Sequence, residues 1–254
     1  MAGHSKWANI KHRKAKADAQ KSNLFSKLIR EVMVAARQGG GNPDSNLRLK
    51  LAIQKARENN VPNDSINRAM RKGTGEGEVA NFEEVIYEGY GPGGAAILVE
   101  AVTDNKNRTT GEIRYLFSRH GGNMSEAGSV AWMFRRRGYL AVDRKKCGLD
   151  EEEVLLVALE AGAEDMESDE ESYEIFTAPE ELTGVQQALE QAGVPVEVSE
   201  VTMTPQAALK VTGDDAVALL KLVDILDEHD DVQRVHSNFD IDQPQLPGQS
   251  GPVG

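Results

Sequence analysis

The sequence predicts an α+β fold: a small N-terminal helical domain followed by two α/β domains, the second ferredoxin-like and inserted in the first. Three observations predict it. Apolar residues recur at helical spacing up to about residue 72 and at every second residue from Val85 onward. The elements between Tyr139 and Thr202 run in the order β-α-β-β-α-β of the ferredoxin-like motif. A helix at 214–226 and a strand at 232–236 are left over, and they complete a β-β-α unit that begins near Glu83. A length of 254 residues suits two or three domains of ~100 residues each.

In Ser22–Gln38 the residues Leu24, Phe25, Leu28, Ile29, Val32, Met33, Ala35 and Ala36 form one apolar stripe, with Lys27, Arg30 and Arg37 on the opposite face. Gly39-Gly40-Gly41 stops this helix, because glycine accepts the left-handed cap at little cost. Asn42 as cap and Pro43 at the first position then start a second helix. It runs through Leu47, Leu51, Ala52 and Ala56 and breaks at Asn59-Asn60. Pro62 and Asn63 open a short third helix with Ile66, Ala69 and Met70, closed by Gly73. Residues 73–80 read as a linker.

Strands are expected at 85–90 and 95–103, a helix at 109–120 ended by Gly121-Gly122, and a strand at 137–142. A helix at 151–161, strands at 164–167 and 173–177, a helix at 179–192 and a strand at 195–202 make up the ferredoxin-like unit. The domain limits that follow are 1–76, 80–133 with 205–240, and 134–204. The stretch 243–254, rich in Pro, Gly and Gln, reads as a disordered tail.

The net charge of −12 conceals an asymmetry. Residues 1–72 hold sixteen basic and five acidic side chains, a net of +11, while the remainder holds thirteen basic and thirty-six acidic, a net of −23. A basic segment on an acidic chain points to a polyanionic partner for that segment. Its densest stretch is His4, Lys6, Trp7, Lys11, His12, Arg13, Lys14, Lys16 and Lys21. Lysine and arginine there would neutralise phosphates, and the indole or imidazole rings could stack on exposed bases. Trp7 packing on the helical domain is the alternative. Lys27, Arg30 and Arg37 extend the cationic surface. Lys106 and Arg108, at a helix start, and Arg135, Arg136 and Arg137, after Trp132-Met133-Phe134, are secondary candidates.

Several classes find no support. The N-terminus shows no secretory h-region, and the apolar runs near Ala95–Val99 and Val154–Ala158 fall far short of a membrane span. Cys147 is the single cysteine, in keeping with a reducing compartment. A cytoplasmic chain is the expectation. Gly89-Tyr90-Gly91-Pro92-Gly93-Gly94 satisfies G-x-G-x-x-G, but a strand-like run follows it rather than a helix, so a hairpin turn is expected in place of a nucleotide site. Asp227-Glu228-His229-Asp230-Asp231 reads as a solvated helix end in preference to a metal site. Around Asp104-Asn105-Lys106-Asn107-Arg108-Thr109 a helix cap is favoured over a phosphate site. No carboxylate pair is selected by spacing, and neither catalytic residues nor a metal or cofactor is expected.

Five stretches together carry a resemblance. They are Ala2-Gly-His-Ser-Lys-Trp-Ala-Asn-Ile-Lys-His-Arg-Lys, Gly39-Gly-Gly-Asn-Pro-Asp, Tyr87-Glu-Gly-Tyr-Gly-Pro-Gly-Gly, Thr103-Asp-Asn-Lys-Asn-Arg-Thr and Gly128-Ser-Val-Ala-Trp-Met-Phe. In that order they resemble the YebC family, from Ala2 to about Asp240. The resemblance implies three domains with the last inserted in the middle one. It also implies a role in gene expression, since members are described as transcriptional regulators. Relatives include a mitochondrial translational activator of cytochrome c oxidase, and bacterial members are linked to relief of elongation stalls at proline-rich stretches. The expectation is a non-enzymatic, monomeric nucleic-acid-binding regulator directed at rRNA and the ribosome. A DNA-binding transcriptional regulator is the alternative and a small-molecule enzyme a remote one.

Overall fold

The structure, a computed structural model, describes residues 21–75 and 82–240. They form two compact units, one of 21–131 and 218–236, the other of 132–217 and 237–240.

The first unit opens with helices α1 (Lys21–Gly39), α2 (Leu47–Glu58) and α3 (Asn63–Gly73). The apolar stripe read from the sequence is their core: Leu28, Val32, Ala35 and Ala36 of α1 close on Leu49, Ile53 and Ala56 of α2 and on Ile66 and Ala69 of α3. Gly40 takes the left-handed conformation (φ 83°) that ends α1, as expected. Gly73 has another use. A Cβ there would lie 2.3 Å from the Met33 carbonyl oxygen, so its bare backbone lets α3 touch α1.

The start of α2 differs from the expectation. The cap is Asn46 in place of Asn42, and Asn42 makes a tight Asx turn by accepting the Asp44 N–H at 3.0 Å. Asn46 wins because it serves both helices. Its Oδ1 accepts the Leu49 N–H (3.1 Å), and its Nδ2 donates to the carbonyls of Ala35 and Gly40 (2.8 Å each), satisfying groups that the end of α1 leaves open.

The same unit holds a four-stranded sheet in the order β3-β1-β2-β9. Strands β1 (Glu83–Tyr90) and β2 (Ala96–Thr103) form an antiparallel hairpin with Tyr90 opposite Ala96. The glycine-rich run is its turn: Gly91 N–H donates to the Ala95 carbonyl at 2.8 Å and a strand follows, as the sequence required. Helix α4 (Lys106–Arg119) begins three residues before the expected start, at a cap formed by Asn105, whose side chain accepts the Arg108 N–H. The three-residue strand β3 (Asn123–Ser125) was not visible in the sequence, being too short to show a period. Ile113 and Phe117 of α4 are buried, and so are Leu219, Leu222 and Leu226 of the late helix α7 (Gly213–Glu228). The late strand β9 (Val232–Ser237) lies beside β2.

The second unit is an antiparallel sheet in the order β5-β6-β4-β7. Its strands are β4 (Phe134–Asp143), β5 (Ala163–Ser168), β6 (Ser172–Thr177) and β7 (Val196–Pro205). With helices α5 (Glu151–Glu160) and α6 (Leu182–Gln191) this is the ferredoxin-like order, inserted between β3 and β9. Val154, Ala158, Leu182, Val185 and Leu189 of the helices pack on Leu140, Val142, Tyr173 and Ile175. The opposite face carries Tyr139, Ala141 and Phe176, the two rings 5.7 Å apart. Two-residue strands β8 (Leu209–Lys210) and β10 (Phe239–Asp240) pair in parallel and also escaped the sequence reading.

Candidate nucleic-acid interface

His4, Lys6, Trp7, Lys11, His12, Arg13, Lys14 and Lys16 lie outside the described residues, as do most of the expected linker and the tail. Lys21 is the first residue of α1.

The cations expected on the free face of α1 are tied to backbone carbonyls of their own unit. Lys27 Nζ donates to the Asp227 carbonyl, and Arg30 Nη1 to the Asp230 carbonyl. Arg30 also lies 3.5 Å from the Asp231 carboxylate and stands over the Phe82 ring. Arg37 donates to the Phe82 carbonyl at 3.0 Å. The physical reason lies in α7. Its last turn carries no basic side chain to complement the negative end of the helix. Lys27 brings a positive charge to the Asp227 carbonyl in that turn, and Arg30 to the Asp230 carbonyl just beyond the helix.

Asp231 is the centre of this junction. Its Oδ2 accepts from Arg108 Nη2 and from Thr109 Oγ1, both at 2.7 Å, and its backbone carbonyl accepts the Val102 N–H of β2. Burial alone would raise the Asp231 carboxyl, but the bonds from Arg108 and Thr109 and the charges of Arg108 and Arg30 hold it below the usual range. Arg108, a secondary phosphate candidate, is therefore bonded to Asp231 and Asp104, while Lys106 stays exposed at the start of α4. A second junction joins Arg48 to Glu31 (3.0 Å) and to Glu84 of β1.

Beside Asp231, the potential metal ligands of Glu112 and His229 come within 4.8 Å of its own. Their chemistry is that of a hydrogen-bond chain. His229 Nδ1 accepts the Asp231 N–H (3.2 Å), which leaves the proton on Nε2 to be donated to Glu112 at 3.0 Å. Neither ring nitrogen keeps a lone pair for a cation, and the Asp231 oxygens are already occupied.

The cationic surface instead falls on α2 and α3, where Lys50, Lys55, Arg57, Arg68, Arg71 and Lys72 are all exposed. Only Glu58 and Asp64 oppose them on these helices. The sequence counted these six within the +11 without singling them out. The signal was available, since each falls off the apolar positions of its helix.

In the second unit Arg135 and Arg137 both face Glu164, at 3.2 and 3.5 Å. Arg137 also stands over the Phe176 ring, and Arg135 and Arg136 are exposed.

Fold and surface define a modular α+β protein in which a basic three-helix module precedes two α/β modules, the second ferredoxin-like and set within the first. The chain belongs to the TACO1/YebC family. The model of the TACO1/YebC protein N-terminal domain matches residues 5–76, and that of the TACO1/YebC second and third domain matches residues 82–239. A relative from Pelotomaculum thermopropionicum, named probable transcriptional regulatory protein, is 57% identical over 242 residues, covering 95% of this chain and 100% of that one. One of the same name from Thermotoga maritima is 50% identical, covering 97% and 96%. Among solved structures, a conserved hypothetical protein of Aquifex aeolicus, Aq1575, superposes with a TM-score of 0.80 at 49% identity, covering 91% of this chain and 95% of that one.

Proposed function

We propose that the protein is a nucleic-acid-binding regulator of gene expression that acts in the cytoplasm on RNA, with the ribosome as its target and relief of stalled elongation as its effect. The observation that carries this is the +11 charge of residues 1–72, which α2 and α3 leave on the surface as six exposed cations. Cations held this way release counterions when they meet phosphate, and that release supplies affinity independent of sequence. The residues at 4–21 extend the contact, and the acidic remainder repels non-specific nucleic acid. The protein acts as a monomer and without catalysis in this reading.

A second reading, a DNA-binding transcriptional regulator, is favoured by the names of the relatives. Phosphate contacts do not distinguish the two sugars.

Sedimentation with ribosomes beside a duplex-DNA titration, both across salt, tests the choice. The expected result is ribosome binding that survives moderate salt while duplex binding vanishes steeply. Tight, sequence-selective duplex binding at physiological salt overturns it. Charge reversal at Lys11, Arg13 and Lys14 is expected to weaken binding without unfolding the protein; an unchanged binding curve removes the N-terminal stretch from the interface.

A further inference from the structure

In an antiparallel sheet with helices on one side, the other side ordinarily meets solvent. The ferredoxin-like unit departs from that. Helices α5 and α6 pack on Leu140, Val142, Tyr173 and Ile175, but Tyr139, Ala141 and Phe176, which point the other way, are only 0 to 6% exposed. Glu174, Thr202 and Thr204 on that side are buried too. Among the described residues, Val198 is the only further apolar side chain packed against the trio. The face is therefore covered, and α5 and α6 are not its cover. It is also acidic. Residues opposite one another in a ladder share a side, and the pairing sets Glu200 against Tyr139, Glu174 against Ala141, Asp165 against Phe176 and Glu167 against Glu174. The cations on this side, Arg135 and Arg137, already meet Glu164 at 3.2 and 3.5 Å, and Arg137 acts on Glu167 as well. Burial and the charge of Asp165 still push the Glu167 carboxyl above its ordinary value. A cover that suits this face brings positive charge.

Three stretches lie outside the described residues: 1–20, 76–81 and 241–254. Only the first holds any lysine or arginine, and it holds no acid before Asp18. We propose that this face of the ferredoxin-like sheet is the docking site of the chain's own residues 4–13, with Lys6, Lys11 and Arg13 meeting its carboxylates. Trp7 supplies apolar surface for the Tyr139 and Phe176 rings. The 20 residues before Lys21 reach up to about 65 Å when extended, more than the width of a small domain. Cations engaged by carboxylates are not open to phosphate, so a nucleic acid must lift the segment off the sheet to use them. The docking stands apart from the reading of the protein as a nucleic-acid binder. The competition rests on that reading.

The test uses the full chain without nucleic acid, as an equal mixture of heavy-isotope and unlabelled protein. Carbodiimide cross-linking with peptide mapping is expected to join Lys6 or Lys11 to Glu167 or Glu200 within one chain. Adducts between heavy and light chains mean that a second copy covers the face, and they overturn the proposal. Glu167→Gln with Glu200→Gln is expected to speed tryptic cleavage after Lys6 and Lys11 about fivefold, the worth of two half-exposed ion pairs, at an unchanged unfolding midpoint. The control pair Glu152→Gln with Glu180→Gln, exposed acids on the helix side of the same unit, should leave cleavage as it is. No adduct on the face, with equal cleavage in all three chains, overturns the docking. Anisotropy with an oligouridylate of about 12 nucleotides then reads the competition. E167Q/E200Q is expected to bind about fivefold more tightly than the control pair. Equal affinity overturns the competition and leaves the docking standing. Failure of every chain to bind overturns the nucleic-acid reading, while the adducts still decide the docking.

Discussion

Helix α1 and the pair α2–α3 carry cations opposite an apolar stripe, yet they use them differently. On α1, Lys27, Arg30 and Arg37 are bound to carbonyls that lie beyond residue 80 in the sequence. On α2 and α3, Lys50, Arg57 and Arg68 face solvent. The difference teaches that a count of charge on a helix face does not say whether the charge is a ligand-binding surface or an internal fastening. What decides it is the neighbour: α7 ends without basic residues of its own, and α1 is the helix that meets that end.

The comparison can be broken most forcefully at Asp231. Asp231→Ala removes the carboxylate that Arg108, Thr109 and Arg30 share, and a loss of about 3 kcal/mol is expected from denaturant unfolding. A loss below about 1 kcal/mol would mean that this junction is not a fastening. Arg30→Ala is expected to cost about 1.5 kcal/mol while leaving the salt dependence of nucleic-acid binding unchanged. The opposite pattern is expected for Lys50, Arg57 and Arg68 replaced together by Ala. Their stability should stay within about 0.5 kcal/mol of the parent chain. The slope of log affinity against log salt for a single strand should then flatten by up to about 2, at roughly 0.7 for each phosphate that is no longer neutralised. If the α1 and α2–α3 variants exchange these signatures, the two faces have been assigned the wrong way round.

Acid sharpens the same contrast. Asp231 and Glu88 both have carboxyls held below their ordinary values. Burial opposes this in each case, but Arg108 and Thr109 overcome it for Asp231 and three backbone N–H groups for Glu88. A depressed carboxyl contributes stability that is present above its unfolded value, about 4, and lost as pH falls through its lower folded value. The thermal midpoint should therefore hold at neutral pH and fall below about pH 4. Asp231→Asn and Glu88→Gln should each be less stable at neutral pH and show a shallower acid limb.

Much of this architecture was legible because it is local. The stripe from Leu24 to Ala36 and the order of elements from Tyr139 to Thr202 repeat within a few residues, and period alone reveals them. The errors arose where a residue answers to something distant. Asn42 has the better local cap signature, followed by proline, yet Asn46 caps α2 because it also reaches the Ala35 carbonyl. Lys27 and Arg30 read as solvent-facing because their acceptors, Asp227 and Asp230, are 200 residues away. Glu88 could not be told from any other strand acid before the fold brought the Gly128–Ala131 backbone around it. Of the interface, the charge was readable and its placement was not.

That separation of 200 residues also has a consequence in time. A ribosome making ~5–20 residues per second completes α1 some 10–40 s before it reaches the end of α7. During that interval the three-helix module already owns its core, since Leu28, Leu49 and Ile66 lie within the first third of the chain. Its attachment to α7 must wait for nearly the last element to be made. The module that folds first is thus fastened to α7 only after its links to Phe82 and Glu84, and this junction, with 200 residues between its partners, is expected to form late in refolding.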